Sequence, residues 1–276
     1  MAIEVAFGPA VLFCPGDRPD RFRKAASAAD AVILDLEDGV APHDKQRARV
    51  AVAASDLDPD RTIVRVNAAQ TDEFIRDLDA IAVTGYRTIM LAKAETVADL
   101  DRLGGFSVIP ICETPLGVEN AFVLAEQRPV IALMWGAEDL VAALGGSSSR
   151  SVDGRYRDVA RYARSRVLVA AAAAGKQGYD AVHLDIADLA GLRDEAEDAA
   201  ASGFVGTACI HPSQVETVRL AYRPTPEAVA WAERVLAMAT SSPGVFAFEG
   251  RMVDEPVLRQ ARRILELRGC GVSDIG

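Results

Sequence analysis

The sequence is poor in the features that mark several large protein classes, beginning with cysteine. Its 276 residues include only four cysteines, Cys14, Cys112, Cys209 and Cys270, and these are far apart in the chain. This spacing argues against a disulfide framework and against a cysteine-ligated zinc site, because both bring cysteines together in close pairs. Because Cys14, Cys112 and Cys209 lie inside apolar runs, we predict that they are buried, reduced thiols.

Positive charge and long apolar stretches are also scarce. The chain has 30 Lys and Arg against 40 Asp and Glu, a net charge of −10, without a basic block. This argues against nucleic-acid binding, although local basic loops can still bind a phosphorylated ligand. No window approaches the roughly 20 apolar residues of a membrane span. The N-terminus does not resemble a signal peptide, so a cytoplasmic location without membrane association is expected.

What the sequence does contain is a regular alternation of strand-like and helix-like segments. The strand-like runs are nearly continuous in Val, Ile and Leu, which is typical of parallel strands covered on both faces. They are Ala10–Pro15, Ala31–Leu36, Thr62–Asn67, Thr88–Lys93, Ser107–Thr114, Val130–Trp135, Ala181–Ile186 and Thr207–His211. The helix-compatible segments between them are Asp20–Ala29, Lys45–Ser55, Thr71–Val83, Thr96–Leu103, Val118–Glu126, Arg157–Gln177 and Leu192–Ala201.

Eight such units favour an α/β fold of the (β/α)8 TIM-barrel type over an open doubly wound sheet. A doubly wound sheet would show a Gly-rich phosphate-binding turn, but no G-x-G-x-x-G or P-loop motif occurs. The catalytic barrel is predicted to cover residues 1–222. Residues 223–276 are predicted to form a helical lid, with helices at Thr225–Thr240 and Pro256–Leu267, on the rim or on a neighbouring subunit. The Gly- and Ser-rich segment Ala142–Ser149 is compatible with a mobile loop and with a plain surface loop.

Polar residues gather where the predicted strands end, which is where barrel enzymes form their active sites. They are Asp35, Glu37, Asp38, Arg65, Asn67, Lys93, Glu113, Glu138, Asp139, Asp185, Asp188 and His211. Acidic residues at several strand ends, with Arg and Lys among them, are hard to explain as core packing. We therefore predict a functional cluster at this end of the barrel. His211 is the exception, since a satisfied core histidine is favoured there over a catalytic one.

Two of these strand ends predict a metal site. Glu113 and Asp139 each follow an apolar run at the point where it ends. Mg²⁺ prefers a few rigidly placed oxygen ligands and keeps positions for water and substrate. We predict one Mg²⁺ per active site on Glu113 and Asp139. Glu138 is the rival for the second ligand, but it points the other way if the strand stays regular.

Arg65 is the other residue with a clear chemical implication. It emerges from the apolar strand Thr62–Asn67. A buried guanidinium needs an anionic partner or an acceptor that develops negative charge. An ion pair with Glu37 would meet that need, and such a pair is compatible both with a structural role and with a catalytic site facing an oxyanion.

Several motifs resemble those of the citrate lyase β-subunit/malyl-CoA lyase family of HpcH/HpaI aldolases. The stretches that carry the resemblance are Ala31–Pro42 with Lys45 and Arg47, Ile63–Asn67, Leu91–Glu95, Ile111–Pro115, Gly136–Leu140 and Phe246–Pro256. The match extends from Leu12 to Leu267, and the motifs occur in the same order, which makes the resemblance specific. It implies a free-standing, Mg²⁺-dependent barrel enzyme that makes or breaks a carbon–carbon bond next to a thioester.

The resemblance also implies roles for individual residues. Glu113 and Asp139 match the metal ligands, and Arg65 matches the arginine that binds the developing enolate oxygen, with Glu37 as its acidic partner. Asp254 matches an acid/base that a neighbouring subunit contributes in a homotrimer or a dimer of trimers.

Further rim residues are expected to take part in binding. Asp35, Lys93 and Gly136 are expected to contact the substrate together with Arg65 and Glu113. Four basic residues are candidates for binding the phosphates of coenzyme A, although a solvated first helix turn explains those near the first strand equally well. These are Arg18, Arg21, Lys24 and Lys45.

The implied reaction is the retro-aldol cleavage of a 3-hydroxyacyl-CoA to acetyl-CoA, or another acyl-CoA, and an oxo acid. Candidate substrates are citramalyl-CoA, malyl-CoA and 3-hydroxy-3-methylglutaryl-CoA, and the same residues could serve a synthase. Three alternatives stay open. They are a class II aldolase that acts on 2-oxo acids without coenzyme A, a citrate lyase β-subunit that acts on a carrier-protein thioester, and a non-catalytic subunit of a complex.

Overall fold

The computed structural model describes residues 7–242 and 244–269, which fall into two compact units. The barrel unit ends at Arg219, and the C-terminal unit begins at Leu220.

The barrel unit is a closed sheet of eight parallel strands in sequential order. The strands are β1 (Ala10–Pro15), β2 (Ala31–Asp35), β3 (Thr62–Val66), β4 (Thr88–Leu91), β5 (Ser107–Cys112), β6 (Ala132–Trp135), β7 (Gln177–Asp180) and β8 (Gly206–Cys209). Strand β8 pairs back with β1, where Ala10 lies opposite Thr207. This topology confirms the predicted (β/α)8 TIM barrel.

Helices lie between successive strands of the barrel, and one more helix follows the last strand. They are α1 (Pro19–Ala28), α2 (Lys45–Ala53), α3 (Asp72–Ile81), α4 (Pro115–Glu119), α5 (Ala121–Ala125), α6 (Ala137–Ala143), α7 (Asp158–Ala173), α8 (Leu189–Ser202) and α9 (Pro212–Tyr222). The connection from β4 to β5 is a 3-10 helix at Val97–Leu103, entered through a capping box between Thr96 and Asp99. In the part of the chain that the structure describes, no helix is long and apolar enough to cross a membrane.

The prediction for the seventh strand was wrong. It placed the strand at Ala181–Ile186, whereas β7 is Gln177–Asp180 and the predicted segment follows it as irregular chain. The alternating apolar residues of that segment suggested a strand, but Leu184 and Ile186 are 52% and 43% exposed. The true strand reads Gln-Gly-Tyr-Asp, and its polar ends hide the apolar signal on which the prediction relied.

A buried carboxylate is accommodated in β7 because every side of it is hydrogen-bonded. Asp180 accepts from the Trp135 indole Nε1 at 2.6 Å and from Arg164 Nη2 at 2.8 Å. Burial raises the pKa of Asp180, and the hydrogen bonds and charge of Arg164 oppose that rise. The ring of Trp135 also lies edge-on to Tyr156, with 5.2 Å between the ring centroids. These contacts fix the end of β6, which leads directly into the functional rim.

The interior of the barrel is filled by apolar side chains from alternate strand positions. Ala31 and Ile33 on β2, and Ile109 and Ile111 on β5, are inward-facing pairs two residues apart. Met90, Met134 and Tyr179 belong to the same buried cluster. Because the centre is packed rather than open, the strand ends above it are rigid supports for functional side chains.

The C-terminal unit contains the two predicted helices and a hairpin that the sequence did not reveal. Its elements are α10 (Pro226–Ser241), β9 (Phe246–Phe248), β10 (Arg251–Val253) and α11 (Glu255–Gly269). The hairpin turns through Glu249 and Gly250, which both have positive φ (49° and 76°), as in a type I′ turn. Val253 packs with Val235 and Leu258, so the hairpin is part of this unit's own core.

The cysteine prediction is confirmed within the described residues. Cys14, Cys112 and Cys209 are free and buried. Burial raises the pKa of Cys14 to about 11 and the pKa of Cys112 and Cys209 to about 12. These thiols therefore stay protonated at neutral pH and act as small apolar side chains. Cys270 lies outside the described residues.

Candidate active site

The candidate site lies at the carboxyl ends of β2 to β6, where the chain leaves one wall of the barrel. Asp35 ends β2, and the strand register sets it opposite Arg65 on β3. Glu113 follows the last residue of β5, and Asp139 lies in the first turn of α6. The predicted site residues Asp35, Glu37, Arg65, Lys93, Glu113, Gly136 and Asp139 all come from this part of the rim.

Arg65 is held by two carboxylates in a fork. Its Nε and Nη2 donate to Asp35 Oδ1 and Oδ2 at 2.7 and 2.6 Å, and its Nη1 lies 3.2 Å from Glu37 Oε2. The sequence suggested Glu37 as the partner, but Asp35 makes the shorter, bidentate contact. Burial lowers the pKa of Arg65, but the charges of Asp35, Glu37 and Glu113 and the hydrogen bonds to Asp35 together raise it above its ordinary value, so the guanidinium stays charged.

The position of Asp35 is fixed in turn by backbone groups. The N–H groups of Glu37 and Gly39 donate to its two oxygens at 2.9 Å each. Only glycine allows this at position 39, because a Cβ there would lie 2.2 Å from Asp35 Oδ2. The orientation of the Arg65 guanidinium is therefore set by the β2–α2 loop before any ligand arrives.

Lys93 contacts both the carboxylate that pairs with Arg65, Glu37, and the predicted metal ligands, Glu113 and Asp139. It has a left-handed backbone conformation with φ 51°, which is uncommon for a residue other than glycine. Its N–H donates to Glu113 Oε1 at 2.9 Å, and its Nζ donates to Glu37. The same Nζ lies 3.0 Å from Asp38 Oδ2 and 3.3 Å from Asp139 Oδ1.

Glu113 is the most perturbed carboxyl group of the site. It is 3% exposed, and burial followed by the nearby charge of Asp139 raises its pKa to about 8. Lys93 and Arg65 oppose that rise but do not cancel it. Within the described part of the chain, the acidic groups Asp35, Glu37, Asp38, Glu113 and Asp139 surround only two cations here, Arg65 and Lys93, so the site is acidic enough to accept a bound cation.

The donor set fits Mg²⁺. Lys93 contacts both Glu113, through its N–H, and Asp139, through Nζ, whereas Glu138 accepts a hydrogen bond from the hydroxyl of Ser149. Among the described residues, no group of three or more His, Cys, Asp or Glu side chains could hold a metal. Two carboxylates with further positions for water and substrate suit Mg²⁺ rather than zinc.

Gly136 permits the close packing of this region. A Cβ at position 136 would lie 2.6 Å from Glu113 Oε2 and 2.8 Å from its Cβ. Any larger residue would push the Glu113 carboxylate out of place. The smallest side chain is therefore required where the chain leaves β6, next to the predicted metal ligand.

The four basic residues that were predicted to bind coenzyme A differ in how far their side chains are already occupied by contacts within the protein. Lys45 Nζ donates to Leu36 O at 2.9 Å, Glu37 O at 3.0 Å and Asn67 Oδ1 at 2.8 Å, so its three donors are used within the protein. Arg18 contacts Asp20, and Arg21 and Lys24 are exposed on α1. The binding of coenzyme A by these residues stays a prediction.

One supporting network was not foreseen. Asp77 is completely buried and accepts from Asn67 Nδ2 at 2.7 Å and from Arg49 Nε at 2.7 Å. Through Asn67 the network reaches Lys45 and thus the loop that carries Glu37. The sequence contained a signal for it, because Asp77 interrupts the apolar stripe of Phe74 and Ile81 on α3.

Three other expectations have different outcomes. His211 is exposed and contacts Ser213 through Nδ1 at 2.7 Å, so the prediction of a core histidine was wrong. Asp188 caps α8 by accepting from the Gly191 N–H at 2.8 Å. The Gly- and Ser-rich segment ends at Ser149, which is 2% exposed and is bonded to Glu138.

Comparison with known proteins identifies the family. The sequence model described as HpcH/HpaI aldolase/citrate lyase matches residues 9–212. The chain belongs to this family. It is therefore an enzyme of the lyase class, as the motif resemblance implied.

The relatives of this HpcH/HpaI family member match over nearly its whole length. The citrate lyase subunit beta-like protein of Mycobacterium tuberculosis H37Rv is 56% identical over 269 residues, covering 98% of both chains. The mitochondrial citramalyl-CoA lyase of Homo sapiens is 32% identical, covering 94% of this chain and 84% of that protein. A crystal structure of CitE from M. tuberculosis with magnesium, acetoacetate and coenzyme A has a TM-score of 0.94 and 57% identity, covering 96% of this chain and 99% of that one.

Proposed function

We propose that this family member is a Mg²⁺-dependent 3-hydroxyacyl-CoA lyase that yields an acyl-CoA and an oxo acid. The observation that carries the proposal is that one rim holds two distinct positions for negative charge. One is the Arg65 guanidinium, and the other is the position where Glu113 and Asp139 would hold Mg²⁺. A retro-aldol cleavage develops charge on two oxygens and needs both positions. The magnesium, acetoacetate and coenzyme A bound to the M. tuberculosis protein support this interpretation.

The cleavage begins when the Asp254 carboxylate accepts the proton of the 3-hydroxyl group. The carbon–carbon bond then breaks, the former carbinol carbon becomes the carbonyl of the oxo acid, and the bonding electrons move into the thioester enolate. Arg65 donates hydrogen bonds to the enolate oxygen, while Asp35 and Glu37 keep its guanidinium oriented. When bound to Glu113 and Asp139, Mg²⁺ supplies Lewis-acid chemistry for the oxygens of the oxo-acid half.

Asp254 is proposed to return a proton to the enolate carbon as a general acid. It follows β10 directly and is half-buried, and its Oδ1 accepts from the Val257 N–H at 3.3 Å, at the start of α11. We propose that the protein is a homo-oligomer, a trimer or a dimer of trimers, in which this carboxylate completes the site of a neighbouring subunit.

The substrate is tested with the purified protein and Mg²⁺. Citramalyl-CoA, malyl-CoA and 3-hydroxy-3-methylglutaryl-CoA are incubated separately, and the products are identified by mass spectrometry. We expect at least one ester to give an acyl-CoA and an oxo acid, and chelation of Mg²⁺ to stop the reaction. Cleavage of 2-oxo-acid aldols alone would instead indicate an aldolase without coenzyme A. Activity only on a carrier-protein thioester would indicate a citrate lyase β-subunit.

The role of Asp254 is tested by mixing subunits. Asp254→Asn is expected to lose nearly all turnover while keeping its metal affinity, because the substitution removes a proton donor and not a metal ligand. Arg65→Ala is expected to be inactive for a separate reason. Mixed oligomers of the two variants should recover part of the activity, because some interfaces combine an intact lid with an intact barrel.

Each variant taken alone through the same dissociation and reassociation is the control, and native mass spectrometry shows whether subunits have exchanged. Inactive mixed oligomers after confirmed exchange would mean that Asp254 serves its own subunit or has no catalytic role.

A further inference from the structure

The backbone of Lys93 is arranged around Glu113. Lys93 has a left-handed conformation with φ 51°, and its N–H donates to Glu113 Oε1 at 2.9 Å. The next residue, Ala94, donates its N–H to Ile111 O at 3.2 Å, so the chain on that side is tied to β5. An uncommon backbone conformation is retained where its hydrogen bond orients the buried carboxylate.

The side chain of Lys93 is arranged around three other carboxylates. Its Nζ bonds Glu37 and lies 3.0 Å from Asp38 Oδ2, and Asp139 Oδ1 is the most distant partner at 3.3 Å. The side chain is 31% exposed, so it keeps some freedom to move. Two of its partners would not be metal ligands under the proposed function, and the third would be.

A cation bound between Glu113 and Asp139 would share Asp139 with this ammonium group. Two positive charges on one carboxylate repel each other, and the repulsion is strong where water is partly excluded. Glu37 and Asp38 offer the ammonium a position with two carboxylates that does not involve Asp139. The ammonium group can therefore release Asp139 to a bound cation and still keep two carboxylate partners.

We propose that Lys93 is a positioning residue that sets the metal affinity of this site in two opposing ways. Its backbone N–H orients Glu113 and favours binding. Its ammonium group competes with the metal for Asp139, and it gives up Asp139 and keeps only Glu37 and Asp38 when the metal binds. This inference rests on the proposed function, because it takes Glu113 and Asp139 as the metal ligands.

The two effects are separated by three substitutions. Lys93→Met removes the charge and keeps the N–H and an unbranched side chain. Lys93→Arg keeps the charge. Lys93→Val removes the charge and also disfavours the left-handed backbone, because a β-branched residue rarely has positive φ. Binding is measured without substrate, with Mn²⁺ followed by electron paramagnetic resonance and with Mg²⁺ as competitor. Circular dichroism and thermal melting verify that each variant is folded.

We expect Lys93→Met to bind Mn²⁺ about tenfold more tightly than the wild type, because a repelling charge is removed. Lys93→Arg should stay close to the wild type, and Lys93→Val should bind more weakly than Lys93→Met. Damage to the fold would lower the affinity, so a gain in Lys93→Met cannot come from a merely structural role.

Unchanged or weaker binding by folded Lys93→Met would overturn the competition, and equal binding by folded Lys93→Met and Lys93→Val would overturn the backbone role. If Lys93→Val does not fold, Lys93→Met and Lys93→Arg still decide the competition. A wild-type protein that binds neither Mn²⁺ nor Mg²⁺ would instead remove the metal site of the proposed function.

Discussion

Arg65→Lys is expected to lower kcat about 100- to 1,000-fold while the barrel stays folded. Arg65 makes two parallel hydrogen bonds to Asp35 and a third contact to Glu37. An ammonium group keeps the charge but cannot present a planar fork, so the enolate oxygen would lose an oriented donor. Steady-state kinetics with the acyl-CoA substrate measure the loss, and a thermal melt measures the folding.

Arg61→Lys is the matched control, because Arg61 immediately precedes the same strand, at the end opposite to the site. Its guanidinium donates to Asp30 O and Ala29 O at 2.8 Å each, away from the rim. The control should keep normal kcat. If Arg65→Lys also keeps it, Arg65 is a structural ion-pair partner and not the oxyanion donor.

Glu113→Gln is expected to abolish Mg²⁺ binding and, in the presence of a chelator, to stabilise the folded protein. The buried carboxyl has a pKa of about 8, so the folded state resists its ionisation at neutral pH. Glutamine has the same shape without the charge and can still accept from the Lys93 N–H. We expect the free energy of unfolding to rise by on the order of 1–3 kcal/mol at pH 8.

The stabilisation by Glu113→Gln is expected to grow as the pH rises. Below the ordinary Glu pKa of 4.5, Glu113 is protonated in both folded and unfolded chains, and the substitution has little effect. Between pH 4.5 and 8 the unfolded carboxyl ionises while the folded one keeps its proton, so the wild type loses stability as pH rises. Above pH 8 the difference between the two proteins should stay constant.

Thermal melts of both proteins across this range, with a chelator present, check the expectation. Glu126→Gln is the control, since Glu126 is exposed at the end of α5 and its substitution should change neither stability nor metal affinity. A Glu113→Gln protein less stable than the wild type at pH 8 would show that Glu113 is not strained by burial.

The sequence predicted the barrel because most of its strands are apolar from end to end. It failed at β7, where Asp180 is buried because tertiary contacts satisfy its carboxylate. Trp135 and Arg164, which supply the partners of Asp180, are distant in sequence, and no local pattern indicates the pairing. Strand periodicity therefore predicts a buried strand well only when burial needs no hydrogen-bond partner from elsewhere.

The candidate site shows a similar limit. Sequence placed Asp35, Glu37 and Arg65 at neighbouring strand ends, but only the register of β2 against β3 shows that Asp35 is opposite Arg65. The left-handed conformation of Lys93 left no trace in the sequence, because lysine does not favour it. Residue types thus predicted which chemistry is present, and backbone geometry decided which groups meet.

Because Trp135 is hydrogen-bonded to Asp180 at the end of β6, its intrinsic fluorescence can report on the rim of the barrel. The chain has two tryptophans, and the other, Trp231, lies on α10 in the C-terminal unit. Replacing Trp231 with phenylalanine would leave one indole, completely buried and one residue before Gly136. This indole donates to the Asp180 carboxylate and packs against the ring of Tyr156. Small movements of β6 during ligand binding would then change the wavelength and the intensity of the tryptophan emission, without an added label.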